Sequence, residues 1–425
     1  MNRKTPPKLH GIGDFTLAKP RQIILDNGMP LIVLDSREAS ISRLTAICEG
    51  GTADASSPVI PAIAAAVQTE GTPSMDAGAI ATAIDYNGAA LAASALSHHT
   101  RTQLRALPER FHDVLPIMVD TIFNATLPPV ELRTIRRRLS AAARLRQEKV
   151  DYRASALSAR ATFGEGHPLS REITDEAVMH ATRRQIAAFR QRFVRPDRMH
   201  LFLTGTVTPE LIDDINRTFG AVPVPESKKR GLQMHPFNPS SELWHTERMP
   251  GTSQAAIAVT IPTIGRDNPD YLDLRLAVSA LGGYFGSRLQ SSIREEEGLT
   301  YGIGSQLLGY AEGGVVNIQT QCDNANVHNV IDSIRRELRR LADESPTELE
   351  MQRMAHSEFT SLLEAAETPF SVLDFYITLL TAHLPADYFD RRMAAARGIT
   401  AGKIARLAAT YLDPERMIVA VAGDL

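Results

Sequence analysis

Two cysteines, one tryptophan and the absence of long apolar runs set the first limits on this 425-residue sequence. Cys48 and Cys322 are too few and too far apart for a disulfide framework or a cysteine-built metal site, so both are expected to be core thiols. No segment reaches ~18 uninterrupted apolar residues, and the N-terminal MNRKTPPKLHGIGDFTLAKP has no apolar run of signal-peptide length. The expectation is a soluble chain with no membrane partner, cytoplasmic if Met1 is the native start. A basic excess is also missing: 46 Lys plus Arg against 49 Asp plus Glu leaves a formal charge of −3, so charge does not suggest a nucleic-acid partner. Among 12 histidines there is no H-E-x-x-H or H-x-x-E-H. His98-His99 lies in an alternating, strand-like run whose neighbours point to opposite faces and cannot chelate one ion. His167, in an x-Pro turn, reads as a loop residue rather than a catalytic one.

What is present is a chain of 43% apolar residues, long enough for two or three domains. Asn27-Gly28 marks a hairpin over Gln22 to Asp35, followed by a strand over Ser42 to Cys48. Helices are predicted over Pro58 to Glu70, Asp76 to Tyr86, Glu109 to Phe123, Pro129 to Thr162 and Asp175 to Phe193. Strands are predicted over Ala89 to Leu96, Thr100 to Leu104 and Arg198 to Thr204. In the second half, strands are expected over Ala255 to Ile261, Tyr301 to Leu308, Gly314 to Gln321 and Met417 to Ala422. Its helices are expected over Pro269 to Leu281, Asn326 to Asp343, Thr347 to Ala366, Phe370 to Leu380 and Ala401 to Leu412.

The string Pro196-Asp-Arg-Met, with Gly205 after it, recurs as Pro414-Glu-Arg-Met with Gly423. The same offset separates Ile186 from Ile404 and Phe193 from Tyr411, so one unit is duplicated, at a period far too long for a solenoid. The fold class is therefore α+β: two tandem similar domains, each a mostly antiparallel sheet with helices packed on one face. The division is an irregular arm over 1–20, a first domain over 21–222, an exposed linker over 223–242 and a second domain over 243–425. The linker is rich in Pro, Ser and charge, and Lys228-Lys229-Arg230 reads as a solvated cluster.

The polar constellation with the most definite spacing is LGGYFGSRLQSSIREEEGLTYGIGS, Leu281 to Ser305. It reads as a Gly-containing turn, a helix carrying Arg294, a turn at Gly298-Leu299, then a strand beginning near Tyr301. That frame is expected to bring a guanidinium and a phenol to a shared edge, where their donors can hold a peptide carbonyl or its oxyanion. The plain alternative is a charged helix end, with Glu295, Glu296 and Glu297 following Arg294. Gly282 to Ser287 lacks both G-x-x-x-x-G-K-[ST] and G-x-G-x-x-G, so it is not read as a phosphate loop.

The string LGG-x-F-x-SRL, followed by R-x3-GL-x-Y, resembles the C-terminal half of the pitrilysin or insulinase-like (M16) metallopeptidases, which include the mitochondrial processing peptidase subunits. The resemblance implies that Arg294 and Tyr301 bind substrate in a site whose zinc lies on another domain. It also implies a helix bearing the inverted zinc motif H-x-x-E-H, with two histidines on one helix face and a glutamate that activates water. Aligned on Gly71-Thr72, those three positions are Ala62, Ala65 and Ala66, which can neither bind a metal nor accept a proton. The family's third ligand, a glutamate, would fall at Ser140 to Ala143, where no carboxylate occurs. The implied protein binds no metal, has no catalytic residue of its own, and supplies Arg294 and Tyr301 to a zinc-bearing homologue that hydrolyses an extended peptide. The alternative is a structural or peptide-binding protein, homodimeric or part of a larger complex, with no hydrolytic role.

Overall fold

A computed structural model describes residue 13 and residues 15–36, 39–226, 231 and 233–425. Lys228-Lys229-Arg230 lies outside the described residues. The first half supplies β1 (Arg21–Ile24), β2 (Pro30–Asp35), β3 (Ser42–Glu49), α1 (Val59–Ala66), α2 (Ala77–Tyr86), β4 (Ala90–Ala95) and β5 (His99–Ala106). It continues with α3 (Phe111–Asn124), α4 (Pro129–Gln147), α5 (Val150–Phe163), α6 (Asp175–His180), α7 (Arg183–Phe193), β6 (Met199–Gly205) and α8 (Pro209–Thr218). The second half supplies β7 (Trp244–Arg248), β8 (Gln254–Thr263), α9 (Tyr271–Gly282), β9 (Ile303–Gly309), β10 (Gly314–Asp323) and α10 (Val327–Asp343). It ends with α11 (Glu348–Glu367), α12 (Pro369–Thr381), α13 (Tyr388–Gly398), α14 (Ala401–Tyr411) and β11 (Ile418–Gly423).

The strands form two sheets of one topology, which is how the repeated sequence string expresses itself in three dimensions. The first runs β1-β2-β6-β3-β5-β4 and the second β7-β11-β8-β10-β9, so the second matches the first from β2 onward. In each sheet a single pair is parallel, β2 with β6 and β7 with β11, and the remaining pairs are antiparallel. The fold is thus the expected α+β class with mostly antiparallel sheets.

Both faces of each sheet are covered, not one. In the first half, α3 and α8 pack on one face through Phe111, Leu115, Leu211 and Ile215, while the opposite face meets α12 of the second half. There Leu34, Ile47 and Phe202 of the sheet pack with Leu373, Ile377 and Phe389. The second sheet receives α5 of the first half in return: Ala154 sits on Ala256, Ala258 and Ala422, and the Thr162 and Thr260 hydroxyls are 2.5 Å apart. Each half therefore lends a helix to the other's sheet. This is why β3 is buried along all but its last residue and β11 along its whole length.

The exchange also explains where the predicted helices differ from the observed ones. Pro129 to Thr162 reads as one helix, but it breaks at Glu148-Lys149, so α4 stays on its own half while α5 crosses over. Asp175 to Phe193 likewise divides, because Thr182 and Gln185 form a capping box that starts α7 afresh. The described residues of the linker are mostly exposed, yet its end is tied down: Asn238 and Ser240 donate backbone hydrogen bonds to Phe163 and Ala161 at the end of α5. The end of the N-terminal arm docks too, with Leu17 buried in the α12 cluster and Phe15 edge-on to Phe389 at 5.8 Å. No helix among the described residues is long and apolar enough to cross a membrane.

The polar fastener of the exchange is Arg43 on β3. It is 3% exposed and donates two 3.0 Å hydrogen bonds to the Asp374 carboxylate and one of 2.9 Å to the Phe370 carbonyl, both on α12. Arg101 approaches the same carboxylate at 3.7 Å. Removing one partner of a buried ion pair strands the other, so Asp374→Ala is expected to destabilise the chain by about 2–3 kcal/mol, less than a fully buried pair because Asp374 is partly solvated. Chemical denaturation checks this: the midpoint should fall while the slope with denaturant stays fixed, and an unmoved midpoint would mean the pair does not hold α12 in place.

Candidate functional site

The Leu281 to Ser305 stretch is built around close backbone approaches. A Cβ on Gly282 would stand 2.7 Å from the Ser305 hydroxyl and 2.8 Å from its backbone nitrogen, and one on Gly283 would stand 2.6 Å from Ser279 Cα. Neither position has room for a side chain, which accounts for the paired glycines. Ser305 in turn donates to the Val278 carbonyl at 2.7 Å, tying β9 to α9. Beyond the glycines, Arg288 is buried and donates to Glu350 at 2.7 Å and to the Glu344 carbonyl at 3.0 Å. Leu289 and Ile293 enter the core of the second half.

The predicted helix carrying Arg294 is a π-helix over Gln290–Glu296, a widened turn found disproportionately at functional sites. It ends at Gly298, whose φ of +66° lies in the left-handed region. Of the three glutamates after Arg294, only Glu297 is engaged. It accepts from Ser333 at 2.6 Å and from Ser292 and Arg336, and although burial opposes its charge, those donors hold the carboxyl below the usual range. Glu295 and Glu296 are exposed. Arg294 makes no ion pair or hydrogen bond among the described residues; its guanidinium lies 4.9 Å from the centroid of the exposed Phe285 ring. That contact leaves the in-plane N–H donors free.

Tyr301 is 93% exposed and lines a cleft of about 360 Å³ between α5 and the second sheet. Asp151 and Ser155 of α5 form one wall, and Gln254, Gln319 and Gln321 the other. The strand begins at Ile303 rather than near Tyr301, because the Thr300 hydroxyl engages the Gly302 N–H, Thr320 and the Gln321 carbonyl. This fixes the backbone around Tyr301 and leaves its side chain in solvent. The expected shared edge is not a contacting pair: no hydrogen bond or ring contact joins Arg294 to Tyr301. Phe285, the platform for Arg294, and the α5 wall of the cleft were not singled out by sequence reasoning. Phe285 was legible within LGGYFG, whereas α5 reaches the cleft only through the exchange.

On α1, Ala65 is buried while Ala62 and Ala66 are partly exposed. The void beside Ala65 is about 10 Å³, room for a single water, and Arg101 and Arg190 line it. Burial pushes the Arg190 guanidinium down to about 10, and its donors go to the Ile122 and Thr121 carbonyls. Ser140, at the position implied for a third ligand, is buried and hydrogen-bonds to Asp175, which also faces Arg144 at 3.6 Å. That carboxylate comes from the start of α6 and is already engaged. Among the described residues no group of three His, Cys, Asp or Glu side chains could hold a metal ion. The residues present do not fit a zinc ion.

The remaining candidates are structural. His98 sits in the turn before β5 rather than in a strand, and its partnership with Asp54 raises its pKa. Burial lowers that of neighbouring His99. His167 is buried, stacked on Phe163, with Nε2 2.7 Å from the His235 carbonyl and Nδ1 accepting from Leu169. Both cysteines are buried thiols, and burial pushes Cys48 up to about 12 and Cys322 up to about 11.

Residues 180–357 match the family described as the peptidase M16 inactive domain. The chain is 23% identical over 304 residues to the uncharacterized zinc protease YmxG of Bacillus subtilis, covering 70% of this chain and 72% of that protein. It is 26% identical over 284 residues to the uncharacterized zinc protease ML0855 of Mycobacterium leprae, covering 64% of this chain and 61%, less than two thirds, of that relative. The crystal structure of a peptidase M16 inactive domain from Pseudomonas fluorescens superposes with a TM-score of 0.82 at 20% identity, covering 96% of this chain and 99% of that one. Two sheets of one topology, the LGG-x-F-x-SRL and R-x3-GL-x-Y strings, and alanines at the positions the resemblance gives to metal-binding side chains agree with these likenesses: residues 180–357 match the M16 inactive-domain family, and the chain as a whole has the fold of M16 peptidases without a zinc motif.

Proposed function

We propose that the chain is a non-catalytic peptidase subunit that positions an extended peptide through Arg294 and Tyr301 and completes hydrolysis together with a zinc-bearing homologue. The observation that carries this reading is the state of Arg294: three glutamates follow it, yet its guanidinium pairs with none and stays free over Phe285. A charged helix end would have paired it. A free guanidinium and a free phenol are donors suited to a peptide carbonyl and to the negative charge that develops on it. β9, which begins two residues after Tyr301, is an edge strand of the second sheet, so an extended peptide can add to it with main-chain hydrogen bonds and little demand on sequence. The metal-dependent chemistry belongs to the partner, since Ala62, Ala65 and Ala66 carry no ligating atom and the void beside Ala65 is lined by Arg101 and Arg190.

Purified alone, the chain is expected to hold no stoichiometric zinc and to cleave no peptide; elemental analysis and a peptidase assay check both. Stoichiometric zinc with cleavage would overturn the reading. Mixed with a zinc-motif homologue from the same source, it should be required for turnover, and inertness of the mixture would favour a structural or peptide-binding role without hydrolysis. In an active mixture, Arg294→Ala with Tyr301→Phe should lower kcat by about 10²-fold, the scale of losing an oxyanion donor, with folding unchanged by circular dichroism. Unchanged turnover would remove the role assigned to this pair.

A further inference from the structure

Ion pairs engage many of the arginines in this chain, and α4 stands apart. Its exposed face carries Arg133, Arg137 and Arg138, none of which makes an ion pair or hydrogen bond among the described residues. Arg144 continues the row toward the C-terminus, its one partner being Asp175 at 3.6 Å. Positions 133, 137, 141 and 144 recur at helical spacing, so Arg133, Arg137 and Arg144 form a stripe along one side, with small Ala141 inside it and Arg138 at its edge. Val130 and Leu145 are 59% and 62% exposed near its two ends. On a chain of net charge −3, this is a local concentration of positive charge, with Asp175 beside Arg144 and Glu70 within electrostatic reach of Arg138 as its acidic neighbours.

We propose that the exposed face of α4 docks an acidic helix of a protein partner. Arginine presents a planar fork of donors matched to carboxylates, and Ala141 lets a second helix approach without steric cost. Val130 and Leu145 supply apolar contact at the margins, a composition typical of protein interfaces. A nucleic acid fits less well, because the stripe has no aromatic side chain for base stacking and the chain as a whole is negative. An anionic membrane fits less well because two isolated aliphatic side chains are too few to enter a lipid interface. Identifying that partner with the zinc-bearing subunit rests on the function proposed above; the docking surface does not.

The test uses a labelled helical peptide with glutamates at i, i+4, i+8 and i+11, beside a Gln-substituted version and a charge-matched version with the glutamates scattered around the helix. Fluorescence anisotropy with the full chain should detect binding of the first alone, and Arg133→Glu, Arg137→Glu and Arg138→Glu together should weaken it about tenfold or more, with steep salt dependence. Equal binding of the scattered peptide, or affinity unchanged by the triple variant, overturns the proposal. So does a triple variant that instead loses binding to phosphatidylglycerol vesicles or to poly(U), or that loses self-association of the chain by sedimentation. In the reconstituted pair the triple variant should weaken association yet keep kcat at saturating concentrations, whereas Arg294→Ala with Tyr301→Phe should do the reverse. Association insensitive to the stripe would sink the docking surface alone, and turnover insensitive to Arg294 and Tyr301 would sink the functional reading alone.

Discussion

The exchange of α5 and α12 between the two sheets is the constraint on which the rest of this structure depends. A sheet buried on one face alternates apolar and polar residues, but β3 and β11 are buried on both faces because each receives a helix from the other half. The two crossings differ in kind. Bulky side chains such as Phe202, Leu373 and Ile377 seal α12 to the first sheet, with Arg43 and Asp374 setting its position. Small residues, Ala154 against Ala256, Ala258 and Ala422, let α5 lie close on the second. A thin, small-residue contact cannot fill the space as far as the start of α5, and the cleft beside Tyr301 is what remains there. The cleft is therefore a product of the exchange, with walls drawn from both halves.

The polar groups around Arg294 divide by whether the fold uses them. Arg288 is consumed by Glu350 and the Glu344 carbonyl, and Glu297 by Ser333 and Arg336, so both belong to the seam between this stretch and helices α10 and α11. With those demands met by neighbours, Arg294 and Tyr301 are left with no structural bond to make. Leaving a guanidinium unpaired on a half-exposed π-helix costs little in water and adds little to folding beyond its contact with Phe285, so its in-plane donors stay available.

Much of this was legible in the sequence, and the misses have physical causes. Asn27-Gly28 fixed the first hairpin, with Gly28 at a φ of +86°, because few other residues accept that backbone. The duplication showed in Pro196-Asp-Arg-Met and Pro414-Glu-Arg-Met, each of which precedes the strand at the same place in its sheet. Helix α8 was overlooked although Thr208 caps it and Pro209 opens it, and α13 and β7 were overlooked as well. β7 is a partly exposed edge strand, held by parallel pairing with distant β11, and such pairing leaves no local pattern. The break at Glu148-Lys149 was hidden for a related reason: both residues are tolerable in a helix, and the turn exists because α5 packs on a sheet almost a hundred residues further along the chain.

The degenerate metal helix shows the same principle from the other side. Alanine at three positions would by itself describe a site merely emptied of ligands, yet the space beside Ala65 holds Arg101 and Arg190 and has almost no free volume. Arg190 already sits where burial disfavours its charge, and its Nη2 is held by the Ile122 and Thr121 carbonyls. A divalent cation placed there would face two guanidiniums in a poorly solvated environment, a repulsion that ligand side chains alone would not offset. The helix, the strand behind it and the helix across from it thus form a packed, cationic arrangement, in which Ala65 is core rather than a vacancy.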